Sequence, residues 1–150
     1  MIEIDIRVAR SEEQTALETL QWRSSLANEN DREALLAHPE VIELPMQQIV
    51  DGLVFVAEVE GVARGFAALL RRDDGDIELD GLFVEPAYWK QGIGRALVDY
   101  CAAFARLEGA AYLQVIGGLE AVPFYRRIGF EDVGPYETQF GPALRLRLRL

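Results

Sequence analysis

Val84-Glu-Pro-Ala-Tyr-Trp-Lys-Gln-Gly-Ile-Gly-Arg-Ala-Leu97 joins an apolar strand to an amphipathic helix. The run Ile77 to Val84 before it reads as a strand that stops at Pro86, and a short polar loop follows. Gly92-Ile-Gly94 then opens a long helix. Apolar or small residues recur at Ile93, Leu97, Tyr100, Cys101, Phe104 and Leu107, a period near 3.6. The glycines therefore sit at a helix N-terminus, directly after a strand. The first N–H groups of a helix have no internal partner, and the helix dipole places partial positive charge there. Without Cβ atoms at Gly92 and Gly94, phosphate oxygens can approach those groups closely. Lys90 and Arg95 add cationic side chains. The stretch reads as a pyrophosphate cradle; the plainer reading is a glycine pair that only makes a tight strand-to-helix turn.

Two familiar cradles do not fit. A dinucleotide fingerprint needs a third glycine where Leu97 stands, and the chain has no Gly-Lys-Ser/Thr for a P-loop. A nucleotide-binding module of another fold is disfavoured accordingly. The stretch resembles the signature of the GNAT acyl-CoA-dependent N-acyltransferases, Gln/Arg-x-x-Gly-x-Gly/Ala after a strand ending in Leu-x-Val-x-Pro. Here it reads Leu82-Phe-Val84-Glu-Pro86, then Trp89-Lys-Gln-Gly92-Ile-Gly94, with Trp89 where Gln or Arg is usual. A second resemblance lies near the C-terminus, where the family often carries Asn-x-x-Ala-x-x-Phe-Tyr-x-x-x-Gly-Phe. Ala121, Phe124, Tyr125, Gly129 and Phe130 stand at the matching positions, and Gly118 takes the place of Asn.

Outward from the signature, alternation at Ile2, Ile4, Ile6 and Val8 predicts a first strand. Ser11-Glu-Glu-Gln14 predicts an N-capped helix from about Glu12 to Ala27. Asn28 to Asp31 breaks it, and a second helix is expected from Asp31 to about Ala37, ended by His38-Pro39. Pro45 can start a short helix through Val50. This region is either plain helical cover or an acceptor-binding wall. Three meander strands follow: Leu53–Val59, Val62–Arg71 and Ile77–Val84, with a tight turn at Glu60-Gly61. After the helix Ile93–Glu108, capped by Gly109, come a strand Ala111–Ile116 broken by Gly117-Gly118 and a short helix Leu119–Ile128. Strands beginning at Phe130–Val133 and over Ala143–Leu150 close the chain. The fold class is α+β, in the order β-α-α-β-β-β-α-β-α-β-β, over one domain of 150 residues. That order matches the GNAT fold, a mixed sheet of about seven strands with helices on both faces.

Half of the residues are hydrophobic and no apolar run is long enough to span a membrane. The acidic, alternating start from Met1 is unlike a secretion signal, and the lone Cys101 falls on an apolar helix face. A cytoplasmic location is expected. One His and one Cys leave no zinc or iron site, so no metal is expected. The net charge of −10 disfavours nucleic acid and favours a cationic partner, although acidity also serves plain solubility.

The resemblance implies transfer of an acetyl group from acetyl-CoA to a primary amine of a small molecule or protein. Leu82, Phe83, Val84, Trp89, Lys90, Gln91, Gly92, Ile93, Gly94 and Arg95 would hold the cofactor. Its pantetheine arm would lie along Leu82–Val84 like an added strand. Glu78 and Asp80 project from one strand face and are candidate bases, or else an acidic face that is solvated or paired with Arg71 or Arg72. In several GNAT enzymes a glutamate works as base at the position of Glu78. Tyr125 matches the family's usual general acid; its other reading is a core aromatic beside Phe124. A non-catalytic acyl-CoA-binding sensor remains the alternative, and family members often form homodimers.

Overall fold

The computed structural model describes residues 2–150; Met1, where the acidic start begins, lies outside them. Seven strands form one mixed sheet in the order β1-β2-β3-β4-β5-β7-β6. They are β1 (Asp5–Val8), β2 (Val54–Val59), β3 (Val62–Arg71), β4 (Ile77–Val84), β5 (Tyr112–Gly118), β6 (Glu131–Thr138) and β7 (Gly141–Arg149). The helices are α1 (Gln14–Ala27), α2 (Glu29–Ala37), α3 (Met46–Val50), α4 (Ile93–Leu107) and α5 (Val122–Ile128). The chain forms two compact units, residues 1–68 with 81–98 and residues 69–80 with 99–150. β4 and α4 each run from one unit into the other.

In the first unit, β1 begins at Asp5 rather than Ile2, because Asp5 already pairs with Glu58 and β2 stops one residue later at Val59. The expected Ser11 cap does not form. A 3-10 turn, Ser11–Glu13, precedes α1, and the Glu13 carboxylate accepts the Arg10 N–H at 2.8 Å. The same carboxylate takes both terminal nitrogens of Arg7 at 2.8 Å, so it serves as cap and ion-pair partner together. α2 starts two residues early because the Asn28 side chain accepts the Asn30 N–H at 3.0 Å. Glu60 (φ 52°) and Gly61 (φ 77°) make the left-handed pair of the β2–β3 hairpin. Leu17 and Leu20 of α1 pack with Leu44, Ile49, Val54, Val56 and Phe66 as the core of this unit. Each such side chain, once fully buried, contributes about 1.5–3 kcal/mol.

In the second unit, β4 pairs in parallel with β5 over Ile77–Leu79 and Leu113–Val115. β5 pairs antiparallel with β7, and β7 with β6. One expectation is corrected here. Gly117 and Gly118 do not break β5, because the sheet carries them opposite Leu144 and Ala143. β6 runs on past Val133 to Thr138, taking up Gly134-Pro135 through a register shift after Asp132. Proline is tolerated there because β6 is the edge strand. Among the described residues, no helix is long and apolar enough to cross a membrane.

Candidate functional site

The signature stretch builds its geometry within the first unit. Lys90 (φ 64°) and Gly92 (φ 90°) both take left-handed backbone on either side of Gln91. The earliest helical bond is the Ala96 N–H to Gly92 O, at 3.0 Å. The N–H groups of Gly92, Ile93 and Gly94 precede it and point out of the α4 N-terminus. A Cβ at Gly92 would meet nothing within 4 Å, so the loop is open at that point. Ile93 and Leu97 anchor this turn in the core. Lys90, Gln91 and Arg95 stay at the surface.

The end of β4 supplies a second feature. A Cβ built on Gly65 of β3 would lie 3.0 Å from Phe83 O, and the Glu85 N–H donates to Arg64 O of β3 at 2.8 Å. Phe83 and Glu85 thus turn their backbone groups toward β3. Because direction alternates along a strand, Leu82 and Val84 turn theirs to the opposite edge. The Phe83 ring packs against Phe66, centroids 5.4 Å apart, which fixes this face of the strand in the core.

The loop between β4 and α4 is fastened by side chains of which the sequence singled out only Trp89. Arg23 of α1 grips Glu85 with two hydrogen bonds, 2.6 and 2.8 Å. That pairing holds the Glu85 carboxyl below its ordinary range. The Arg64 guanidinium lies 4.6 Å from the centre of the Tyr88 ring. The Trp89 indole N–H donates to Val84 O at 2.8 Å. The partner of Arg23 lies 62 residues away, beyond the reach of local spacing.

Glu78, Asp80 and Tyr125 belong to the second unit. Glu78 Oε1 accepts from Arg72 at 2.8 Å and from Arg145 at 3.3 Å. Arg145 also donates to Gln114, whose amide donates to Asp76, so β4, β5 and β7 are tied by one polar network. Arg72 was a foreseen partner; Arg145 was not. Asp80 is exposed on the same strand face. Tyr125 is buried, with Phe124 and Phe130 edge-on at 5.1 and 5.3 Å. Its ring passes over Gly117, where a Cβ would lie 3.3 Å away. Burial, with the neighbouring Cys101 adding to it, pushes its phenol up to about 12. At Gly118, a Cβ would lie 2.7 Å from the Glu120 carboxylate, which fills the space a larger side chain would need. A cleft of about 370 Å³ lined by Arg71, Arg72, Asp76 and Glu108 also lies in this unit. Its charges are already cross-paired, Arg71 with Glu108 and Arg72 with Asp74 and Glu78. Among the described residues, no group of three or more His, Cys, Asp or Glu side chains is arranged to hold a metal ion.

Residues 15–130 match the sequence model of the acetyltransferase (GNAT) family. An uncharacterized N-acetyltransferase of Methanocaldococcus jannaschii is 33% identical over 98 residues, which cover 58% of this chain and 42% of that protein. The N-alpha-acetyltransferase RimI of Mycobacterium tuberculosis is 38% identical over 71 residues, covering 47% and 44%. The chain spans about half the length of the curated relatives it matches. Among solved structures, the PaiA N-acetyltransferase of Thermoplasma acidophilum, in complex with coenzyme A, superposes with a TM-score of 0.79 at 19% identity. That superposition covers 99% of this chain and 100% of the other. At such identity the likeness shows the fold, a mixed-sheet α+β architecture.

Proposed function

The chain belongs to the acetyltransferase (GNAT) family, and from that premise we propose that it moves an acetyl group from acetyl-CoA directly to a primary amine, residues 1–150 working as one domain. The observation that carries this reading is the open α4 N-terminus, with its left-handed Lys90 and Gly92, set on the chain directly after β4. In this reading the pyrophosphate sits on the N–H groups of Gly92 to Arg95, with Lys90 and Arg95 adding charge. Gln91 and Ile93 complete the loop. The pantetheine arm runs beside Leu82–Val84 and uses the backbone groups directed away from β3. The Val84 N–H then holds the thioester oxygen as it gains charge, and proximity supplies most of the acceleration.

Tyr125 is the proposed proton donor to the departing thiolate. A phenol raised to about 12 is fully protonated at neutral pH and so has a proton to give. Glu78 is the proposed acceptor of the amine proton, with Asp80 second. Arg72 and Arg145 orient Glu78 through one carboxylate oxygen, Oε1. The acceptor amine is proposed to be cationic, in keeping with the chain's net charge of −10, and its site of action is proposed to be the cytoplasm.

Gly94→Glu tests the cradle, because it adds bulk and like charge where the pyrophosphate would lie. Acetyl-CoA binding by calorimetry is expected to vanish in a correctly folded variant. Unchanged affinity would remove the assignment. The altered positions Trp89 and Gly118 favour a second reading, an acyl-CoA sensor without turnover. It differs in one result: it binds acetyl-CoA but releases no thiol with any amine.

A further inference from the structure

The peptide joining Val84 to Glu85 is held at both ends. Its N–H donates to Arg64 O at 2.8 Å, and its carbonyl accepts the Trp89 indole N–H at 2.8 Å. The following residue, Lys90, is the left-handed non-glycine of the cradle, a conformation that persists only where its surroundings enforce it. Trp89 occupies the signature position where the resembled pattern carries Gln or Arg. Those side chains offer several polar atoms, whereas an indole has one donor and no acceptor. In this chain that single donor is spent on Val84, so the ring cannot also serve a phosphate through a hydrogen bond. The bond lies on a residue that is 41% exposed, where water competes, and it adds little to fold stability. What it does set is direction. Val84 turns its backbone groups away from β3, and with its carbonyl tied to the indole the residue cannot swing.

We propose that Trp89 is a positioning residue for acyl transfer, tying the end of β4 to the cradle loop and thereby aiming the Val84 N–H. This rests on the reading that the Val84 N–H receives the thioester oxygen. Charge on that oxygen grows only as the amine attacks, so misaiming the donor costs turnover and leaves binding of the unacylated cofactor intact. Loss of an oxyanion donor lowers kcat by 10²–10³-fold, and a donor kept but misaimed costs less, about tenfold.

Trp89→Phe keeps the ring and removes the donor. The expected result is a kcat about tenfold lower, a Kd for free coenzyme A within about twofold of wild type, and an unchanged urea midpoint. Wild-type kcat, or a loss confined to coenzyme A affinity, would overturn the proposal. Where Trp89→Phe does not fold, Trp22→Phe leaves Trp89 as the sole tryptophan, since the chain has two. Saturating acetyl-CoA should then leave its emission maximum in place; a red shift would show the indole leaving Val84 and would count against the tie. A wild-type protein that neither binds nor turns over acetyl-CoA defeats the underlying acetyltransferase reading instead, so the two failures are separable.

Discussion

Tyr125 is only 7% exposed, and the packing of its ring against Phe124 and Phe130 does not involve its hydroxyl. Removing that hydroxyl should therefore cost little stability while deleting the proposed proton donor. Tyr125→Phe is expected to lower kcat by about 10²-fold with acetyl-CoA affinity retained, as read by steady-state kinetics and calorimetry. A wild-type rate would return Tyr125 to the core alone. Burial also pushes the Cys101 thiol up to about 12. Both groups bind their protons more tightly folded than unfolded. Their contribution is complete below the ordinary values of 9 and 10 and is lost as pH rises toward 12. Urea unfolding should show stability falling between pH 8 and 11, and falling less in Cys101→Ala. The role of Glu78 is read through pH as well. Glu78→Gln should slow turnover most at low pH, where free amine is scarce, and Asp80→Asn should do less; the reverse order would exchange their roles. At this scale the sequence showed what local spacing encodes. The turn at Gly92 and the pairing of Glu78 with a nearby arginine, Arg72, were legible. Arg145 was not, because it reaches Glu78 across 67 residues and only through the β5–β7 register.

Among the elements, α4 lies hard against β3 at Gly65. A Cβ there would sit 3.0 Å from both Ile93 Cγ2 and Phe83 O, and 3.3 Å from Leu97 Cδ1. One of those neighbours is backbone, so Gly65→Ala must shift either β4 or the first turn of α4. A cost of about 1–3 kcal/mol in urea unfolding is expected, together with weaker acetyl-CoA binding, because the displaced turn carries the cradle. A fully stable variant with wild-type affinity would show that the turn tolerates displacement. The Arg23–Glu85 pair fastens the same loop to α1. With Arg23 half exposed, Arg23→Ala should cost only about 1 kcal/mol. Because Arg23 depresses the Glu85 carboxyl, this contribution is present above the ordinary glutamate range and disappears as pH falls below it. Element order and type were legible from periodicity. The caps and ends were not. Glu13 displaced Ser11 as cap because Arg7 of β1, itself also bonded to Glu58 of β2, holds the Glu13 carboxylate beside the Arg10 N–H, and the glycines of β5 stayed in the strand because β7 pairs with them.

For the whole molecule, a net charge of −10 raises the local concentration of cations and repels anions such as coenzyme A, which in the proposed reading is held by the local donors of the cradle. If the acceptor is cationic, its kcat/KM should fall several-fold between low and high salt, while a neutral amine's should not. Composition made the sign of this field legible but not its target, since acidity alone does not distinguish a steering surface from a soluble one. Acetyl transfer itself is read most directly by release of free thiol from acetyl-CoA. The assay uses purified protein and a panel of polyamines, amino acids and peptides with free N-termini or lysines. Thiol release matched by acetylated amine for at least one member of the panel, and abolished by Gly94→Glu, is the predicted result. Wild-type protein that binds acetyl-CoA yet releases no thiol with any amine would contradict it.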